Sequence, residues 1–168
     1  PGRWPGRGFE PVARPATDPA TDWIREIDGA DAVVNLAGRS VDCRYTPANR
    51  RAILDSRVDS TRAIGRAIAA ASEPPRIWLQ SSTATIYAHR YDAPNDEATG
   101  WVEGSTKPRE APLAPETWCF SVEVAKAWEA ALLADDLPDT RRVAMRTAMG
   151  MSPERGGGFD VLLRLVRL

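Results

Sequence analysis

The sequence predicts an α/β protein in which helices flank a parallel sheet. Short apolar runs of strand length occur at residues 31–38, 77–79 and 142–146. A long helical pattern separates the first two runs, and a second helical pattern precedes the third. Strands that alternate with helices form βαβ units, whose strands run parallel. The carboxyl ends of such strands meet at one edge of the sheet, where ligands of α/β proteins bind.

The N-terminal part of the chain predicts a loop and then the first strand. Residues 1–20 carry five prolines and no apolar period, which predicts a loop, and residues 21–168 are assigned to one domain. A short helix is predicted over residues 18–28, and Gly29 would end it. The run at 31–38 predicts a short buried strand that leads into a turn of small residues. Ala37 and Gly38 in that turn let the backbone approach a ligand closely.

A helix is predicted from residue 46 to about 72. Thr46 is a suitable N-cap and Pro47 suits the first turn. Apolar residues from Ile53 to Ile68 recur at helical intervals, and two prolines at 74–75 stop the helix before the second strand. Residues 88–116 predict a long loop, and long ordered loops tend to be functional. The rest of the chain predicts three further elements: a helix over 116–134, a strand over 142–146 and an amphipathic helix from 159 onward.

Composition and charge exclude several classes of function. The formal net charge is −1 and the pI is about 5.9, so charge gives no reason to propose nucleic acid or an anionic membrane as partner. No apolar run approaches the roughly 20 residues that span a bilayer. The single histidine, His89, and two cysteines without metal-ligand spacing predict no metal site. Reduced cysteines are typical of the cytoplasm, which is the predicted location.

A run of hydroxyl residues follows the second predicted strand, from Ser81 to Thr85, and a lone aromatic, Tyr87, comes next. An ordinary polar turn is one interpretation of this run, and a ligand site at the strand end is the other. The stretch resembles the Ser-Ser-Ser/Ala-x-x-Val-Tyr-Gly segment of extended short-chain dehydrogenase/reductases, the nucleotide-sugar epimerase group. The resemblance implies that Thr83 is the catalytic hydroxyl, with Ser82 beside it. Tyr87 matches a family tyrosine that is not the catalytic one, and Ala88 stands where the family usually has glycine.

The motif Asn35-Leu36-Ala37-Gly38 resembles the Asn-x-Ala-Gly turn of the same family, which lies beside the cofactor. Further matching segments lie at residues 55–61, 126–129 and 146–153. The order of these segments along the chain resembles that of the atypical, epimerase-like branch that carries a C-terminal domain of unknown function. The resemblance implies a Rossmann-like fold, NADP(H) or NAD(H) as cofactor, a small-molecule substrate and the option of a homodimer. It implies these cofactor-binding residues: Asn35, Leu36, Ala37, Gly38, Arg57, Ser81 and Arg146.

The catalytic pair of that family is missing. Its Tyr-x-x-x-Lys motif supplies a tyrosine whose pKa is lowered by the lysine. Here Ser121 and Ala125 occupy the two positions, and Lys126 lies one residue away. Arg57 stands in place of the family's relay asparagine. The remaining candidates for a proton carrier are Tyr87, Tyr91, Glu123 and Lys126.

The glycine-rich phosphate turn of a dinucleotide fold is also missing. Gly6-Arg7-Gly8 follows no strand, and the glycines at 156–158 come after the last strand. We therefore expect a fragment that lacks its first βαβ unit and its C-terminal domain. Two hypotheses of function remain open. One is an epimerase or oxidoreductase that acts on a small sugar-like or carbonyl substrate, and the other is a cofactor-binding regulatory or scaffold protein without catalysis.

Overall fold

The computed structural model describes residues 25–102, 116–148 and 158–166. The predicted loop over 1–20, residues 18–24 of the first predicted helix, and the glycines at positions 6, 8, 156 and 157 lie outside the described residues. The end of that predicted helix is a single helical turn at residues 25–26. Gly29 follows it with a φ of 75°, a left-handed conformation that glycine adopts readily.

Three parallel strands form one sheet in the order β1-β2-β3. They are β1 (Ala32–Asn35), β2 (Ile77–Thr83) and β3 (Arg141–Thr147). Helix α1 (Pro47–Ala70) connects β1 to β2, and α2 (Glu116–Leu132) precedes β3. The prediction of a parallel α/β sheet with flanking helices is therefore confirmed for the described part of the chain.

Strand β2 is longer than the apolar run at 77–79 predicts. It pairs with β3 as far as Thr83, which lies opposite Thr147, so Ser81, Ser82 and Thr83 belong to the strand itself. Side chains alternate between the two faces of a strand. Trp78, Gln80 and Ser82 are buried on one face, whereas Ser81 and Thr83 belong to the other face and are half-buried. The hydroxyl run is thus divided between two faces of the sheet.

The helices follow their predicted bounds closely. Thr46 is the N-cap of α1, and its side chain accepts a hydrogen bond from the Asn49 N–H at 3.2 Å. Helix α2 ends two residues before the predicted residue 134. Helix α3 (Gly158–Val166) is the predicted amphipathic helix near the end of the chain. Within the described residues, no helix combines the length and the apolar character needed to cross a bilayer.

The core lies between the helices α1 and α2 and one face of the sheet. Trp78 is fully buried at its centre, and Trp128 is 6% exposed. The cluster comprises Ile27, Ile64, Ala67, Ile68, Trp78, Leu132 and Leu137. The prediction that the first strand is buried is wrong for one face of β1. On the face that points away from α1 and α2, Val34 is 49% exposed. Strand β1 has only one described neighbour, β2, and Val34 points away from the face on which Asn35 is buried.

Candidate functional site

A cavity of about 350 Å³ opens at the carboxyl ends of β1 and β2. We term it the hydroxyl cleft. The loop Leu36–Gly38 after β1 forms one side, and the end of β2 contributes Ser81, Ser82, Thr83 and Thr85. Helices α1 and α2 close it with Arg57, Ser121 and Trp128, among others. Two motifs that are about 45 residues apart in the sequence therefore meet in one cavity, as the parallel arrangement of β1 and β2 requires.

Asn35 lies beneath this cleft, and its side chain holds the loop in shape. The side chain is buried, and its Nδ2 donates to Gln80 Oε1 at 2.9 Å and to Thr61 Oγ1 at 3.4 Å. Its Oδ1 accepts from the Ala37 N–H at 3.0 Å. Trp128 Nε1 also donates to Thr61 Oγ1, at 3.0 Å. Asn35 thus determines the path of residues 36–38, while Leu36, Ala37 and Gly38 themselves face the cavity.

The Thr83 hydroxyl caps the 3₁₀ turn Ala84–Ile86. Its Oγ1 accepts from the Thr85 N–H at 3.2 Å and donates to Thr85 Oγ1 at 2.9 Å. Thr83 and Thr85 therefore form a pair of hydroxyls at the wall of the hydroxyl cleft. Because a hydroxyl donates one proton and accepts others, this pair can offer a donor to an oxygen atom in the cleft.

Arg57 lies on α1 beside the loop. Its Nη1 donates to the Ile53 carbonyl at 3.0 Å and to the Arg39 carbonyl at 3.1 Å. Its Cζ is 5.1 Å from the centroid of the Trp128 ring, which is a cation–π contact. Burial lowers the pKa of the Arg57 guanidinium from its ordinary value, and the nearby Tyr45 raises it to a smaller extent.

Ser82 does not face the cleft with a free hydroxyl. Its Oγ donates to Glu129 Oε1 at 2.6 Å. Arg146 donates to the same carboxylate in a two-pronged manner, from Nε to Oε1 at 2.8 Å and from Nη2 to Oε2 at 2.7 Å. Arg146 Nη1 also donates to the Tyr87 hydroxyl at 2.7 Å. Ser82, Glu129, Arg146 and Tyr87 therefore form one network, which we term the Glu129 network.

The Glu129 network keeps both charges ionised. Burial raises the pKa of the Glu129 carboxyl, but hydrogen bonds from Arg146 and Ser82 outweigh this effect, and the pKa is lowered overall. The hydrogen bond to Glu129 raises the pKa of Arg146, and the bond to Tyr87 adds to it. The paired charges hold the end of β3 against α2 and fix the ring of Tyr87.

A second cavity, of about 510 Å³, lies on the other side of the 3₁₀ turn. We term it the tyrosine cleft. Ala84, Tyr87 and Arg146 line it together with residues 88–91 and 95–97. Asn95 anchors this loop, since its side chain donates to the Ala88 carbonyl at 3.1 Å and accepts from the Trp101 N–H at 3.0 Å.

Charged residues of the tyrosine cleft are mostly paired within the loop. Arg90 donates to both oxygens of Asp92, which lowers the pKa of Asp92 to about 2. Hydrogen bonds from the backbone and side chain of Thr99 lower the pKa of Asp96. His89 packs edge-on against Trp118, with ring centroids 5.8 Å apart. Asp92 and Asp96 are thus engaged in shaping the loop.

The predicted site residues are distributed over both clefts. The hydroxyl cleft contains Leu36, Ala37, Gly38, Arg57, Ser81, Ser82 and Thr83, and the tyrosine cleft contains Tyr87 and Arg146. Among the candidate proton carriers, Glu123 and Lys126 are exposed on α2 and Tyr91 is 99% exposed. Ala125 is fully buried in the wall of the hydroxyl cleft.

Glu129, Thr85 and Tyr45 are among the residues that the sequence predictions did not assign to a site. Glu129 lies one residue after the buried Trp128 and three before the buried Leu132. A carboxylate on the apolar face of a helix needs a hydrogen-bonding or charged partner. The position of Glu129 in the sequence was therefore a signal that it forms such a contact. Thr85 was part of the hydroxyl run, but its role depends on the 3₁₀ turn that brings it beside Thr83.

A parallel sheet with flanking helices and a ligand-sized cleft at its strand ends is a Rossmann-like α/β fold. No family model matches the chain. The chain is 33% identical over 132 residues to the epimerase family protein SDR39U1 of Bos taurus, covering 76% of this chain and 39% of that protein. It is 29% identical over 136 residues to SDR39U1 of Homo sapiens, covering 79% of this chain and 40% of that protein. The chain therefore spans less than half the length of these relatives.

Two solved structures share the fold. The human epimerase family protein SDR39U1 (isoform 2), crystallised with NADPH, superposes with a TM-score of 0.62 at 26% identity, over 82% of this chain and 42% of that chain. A nucleoside-diphosphate sugar epimerase from Corynebacterium glutamicum gives a TM-score of 0.60 at 25% identity, over 85% of this chain and 27% of that chain. The Rossmann-like fold is confirmed, and the relatives agree with the predicted resemblance to epimerase-like proteins. The fragment hypothesis stays a prediction.

Proposed function

We propose that this protein binds NADP(H) or NAD(H) and acts as an epimerase-like or oxidoreductase-like enzyme on a small sugar-like or carbonyl substrate. One observation carries the proposal. The small-residue loop Leu36–Gly38 and the hydroxyl end of β2 line a single cleft at the carboxyl ends of adjacent parallel strands. That position is where ligands of doubly wound α/β folds bind. The NADPH in the crystal structure of human SDR39U1 supports the choice of cofactor.

The residues of the hydroxyl cleft suit an anionic group of the cofactor. No carboxylate occurs among the described residues that line it, so nothing there repels phosphate. Gly38 leaves the loop without a side chain at the point where a Cβ would lie 3.2 Å from Arg57 Cζ. When bound, a nicotinamide cofactor supplies or accepts hydride. The chain's own contribution is the Thr83–Thr85 hydroxyl pair, which would orient a carbonyl or hydroxyl group and stabilise charge on its oxygen.

Binding is tested by titrating the chain with NADPH and with NADH while following the fluorescence of its six tryptophans, of which Trp128 lines the cleft. Saturable binding that Gly38→Leu weakens, because the added side chain would fill the space beside Arg57, would support the proposal and show that binding does not need a glycine-rich phosphate turn. Arg62→Gln, at an exposed residue of α1 that lines neither cleft, is the control and should leave binding unchanged. Equal affinity of the Gly38→Leu variant would contradict this assignment of the cleft.

Catalysis is tested with Thr83→Ala and a panel of carbonyl and sugar substrates. We expect hydride transfer to fall by about 100-fold or more, as when one oxyanion donor is removed, while cofactor affinity changes little. Thr83→Ser keeps the hydroxyl and should retain most of the activity. Unchanged turnover in Thr83→Ala would exclude Thr83 as the positioning hydroxyl.

A second candidate function, a cofactor-binding regulatory or scaffold protein, is favoured by the residues that replace the missing catalytic pair. Ser121 and the fully buried Ala125 provide no proton carrier. In the described lining of the hydroxyl cleft, Tyr45 and Arg57 are the groups that can carry charge. Tight NADPH binding without turnover across the substrate panel would support this second function over the first.

A further inference from the structure

The guanidinium of Arg57 has one edge engaged and one edge without a hydrogen-bond partner among the described residues. Nη1 donates to the carbonyls of Ile53 and Arg39, at 3.0 and 3.1 Å. A guanidinium carries five N–H donors, so Nε and Nη2 retain three. No described residue accepts a hydrogen bond from either nitrogen. The Nε/Nη2 edge is the fork that binds carboxylate or phosphate with two parallel hydrogen bonds.

The surroundings of Arg57 hold this fork in place. Cζ lies over the Trp128 ring at 5.1 Å from its centroid. A Cβ added to Gly38 would approach Cζ to 3.2 Å, so the loop after β1 also touches the guanidinium. A fork whose orientation is already fixed loses little conformational entropy when a ligand binds.

Arg57 has no carboxylate partner among the described residues, which distinguishes it from four other arginines. Arg50, Arg90, Arg146 and Arg164 each form an ion pair with a carboxylate. Arg57 is half-buried, and the described lining of its cleft contains no Asp or Glu. Burial without a carboxylate lowers the pKa of its guanidinium. An anionic ligand would compensate this loss of hydration.

We infer that Arg57 binds an oxyanionic group of a ligand, a carboxylate or a phosphate, through its Nε/Nη2 edge inside the hydroxyl cleft. The source of that group rests on the proposed function: it is the acid group of the substrate or a phosphate of the cofactor. The neighbouring Thr83–Thr85 pair would then lie beside the rest of the same ligand.

The experiment titrates the intact chain with sodium malonate and with inorganic phosphate at constant ionic strength. Tryptophan fluorescence is the readout, because Trp128 lies directly against Arg57. We expect saturable quenching, and Arg57→Gln should weaken it by about tenfold or more, as expected for charge-assisted hydrogen bonds. Arg62→Gln is the matched control, since Arg62 is exposed on the same helix and the charge change is identical. It should leave the affinity unchanged.

NADPH distinguishes the two sources. In one outcome, malonate binds the NADPH-saturated chain as tightly as the free chain, and Arg57→Gln leaves the NADPH affinity unchanged. This outcome would assign the fork to an acidic substrate. In the other outcome, malonate competes with NADPH, and Arg57→Gln also lowers the NADPH affinity. This outcome would assign the fork to a phosphate of the cofactor. Arg57-dependent anion binding in a chain that binds no NADPH would support the fork and reject the proposed function.

The inference is overturned if Arg57→Gln changes neither anion nor NADPH affinity while its melting temperature equals that of the parent chain. Should Arg57→Gln fail to fold, Arg57→Lys keeps the charge over Trp128 but has no fork. We expect it to bind malonate several-fold more weakly than the parent chain. Equal affinity in Arg57→Lys would likewise overturn the inference.

Discussion

The carboxylate of Glu129 joins parts of the chain that are far apart in sequence. Its oxygens accept hydrogen bonds from Ser82, which is 47 residues away, and from Arg146, which is 17 residues away. Arg146 in turn holds the hydroxyl of Tyr87. Loss of the Glu129 charge would leave the half-buried guanidinium of Arg146 without an anionic partner and would weaken the hydrogen bond that Ser82 donates.

Acid is expected to weaken the fold through Glu129. The pKa of this carboxyl is lowered in the folded chain relative to an ordinary value of 4.5. Its stabilising contribution is therefore present above about pH 4.5 and is lost as the pH falls through the lower pKa of the folded state. Urea unfolding at pH 7 and at several acidic pH values should show Glu129→Gln to be less stable by about 1–3 kcal/mol at pH 7. The difference from the parent chain should shrink on acidification.

Glu123→Gln is the control for this measurement, because Glu123 is exposed on the same helix. It should change the stability by less than about 0.5 kcal/mol at every pH. A Glu129→Gln deficit that does not depend on pH would contradict the role of the ionised carboxylate.

The role of Arg146 illustrates which residues can be assigned from sequence. The family resemblance implies that it binds the cofactor, and the structure pairs it with Glu129 on α2. The pair forms only because α2 packs across the ends of β2 and β3, and no local pattern encodes that packing. Asn35 and Thr83, by contrast, stand in local motifs that could be recognised.

At the scale of elements, α1 begins where its sequence specifies. Thr46 accepts a hydrogen bond from the Asn49 N–H, one of the donors without a partner in the first turn. We expect Thr46→Ala to lower the free energy of unfolding by about 1 kcal/mol. Chemical denaturation measures the change. Thr46→Ser keeps the acceptor oxygen and should stay within a few tenths of a kcal/mol of the parent chain, and equal losses in both variants would argue against the cap.

Local signals predicted the ends of helices better than the ends of strands. The Thr-Pro pair at 46–47 and the Pro-Pro pair at 74–75 act within a few residues, so they were visible in the sequence. The extent of β2 depends on its partner, since β3 supplies pairing as far as Thr147. The hydroxyl residues that appear to follow a strand are therefore part of it, and alternation sends Ser82 and Thr83 to different faces.

At the scale of the whole molecule, buried amides tie the sheet to both helices. Asn35 on β1 donates to Gln80 on β2 and to Thr61 on α1, and Thr61 accepts from Trp128 on α2. Asn35 and Gln80 are 3% and 0% exposed, so neither side chain has water as a substitute partner.

Asn35→Leu is expected to destabilise the fold by about 1–3 kcal/mol, because it leaves the buried Oε1 of Gln80 without the donor that Asn35 supplies. The double variant Asn35→Leu/Gln80→Leu removes both amides and should recover part of this loss. Urea denaturation of the single and double variants gives the coupling free energy. Strictly additive losses would show that the two amides act independently.

The exposure of β1 could not be predicted from its sequence. Val33 and Val34 form an apolar run that is typical of a strand covered on both faces, but the described helices α1 and α2 cover one face only. Coverage depends on which elements pack on each face, and this is a property of the assembled fold. The sequence nevertheless predicted the parallel α/β class, because the order of strands and helices alone determines it.

The 3₁₀ turn Ala84–Ile86 contributes residues to both cavities. Thr83 and Thr85 belong to the hydroxyl cleft, whereas Ala84 and Tyr87 belong to the tyrosine cleft. Ala84 and Thr85 are neighbours in this turn but line different cavities, so substitutions at the two positions act on different cavities. Variants at Ser121 and at Asn95, which each border a single cavity, separate the contributions of the two cavities to ligand binding.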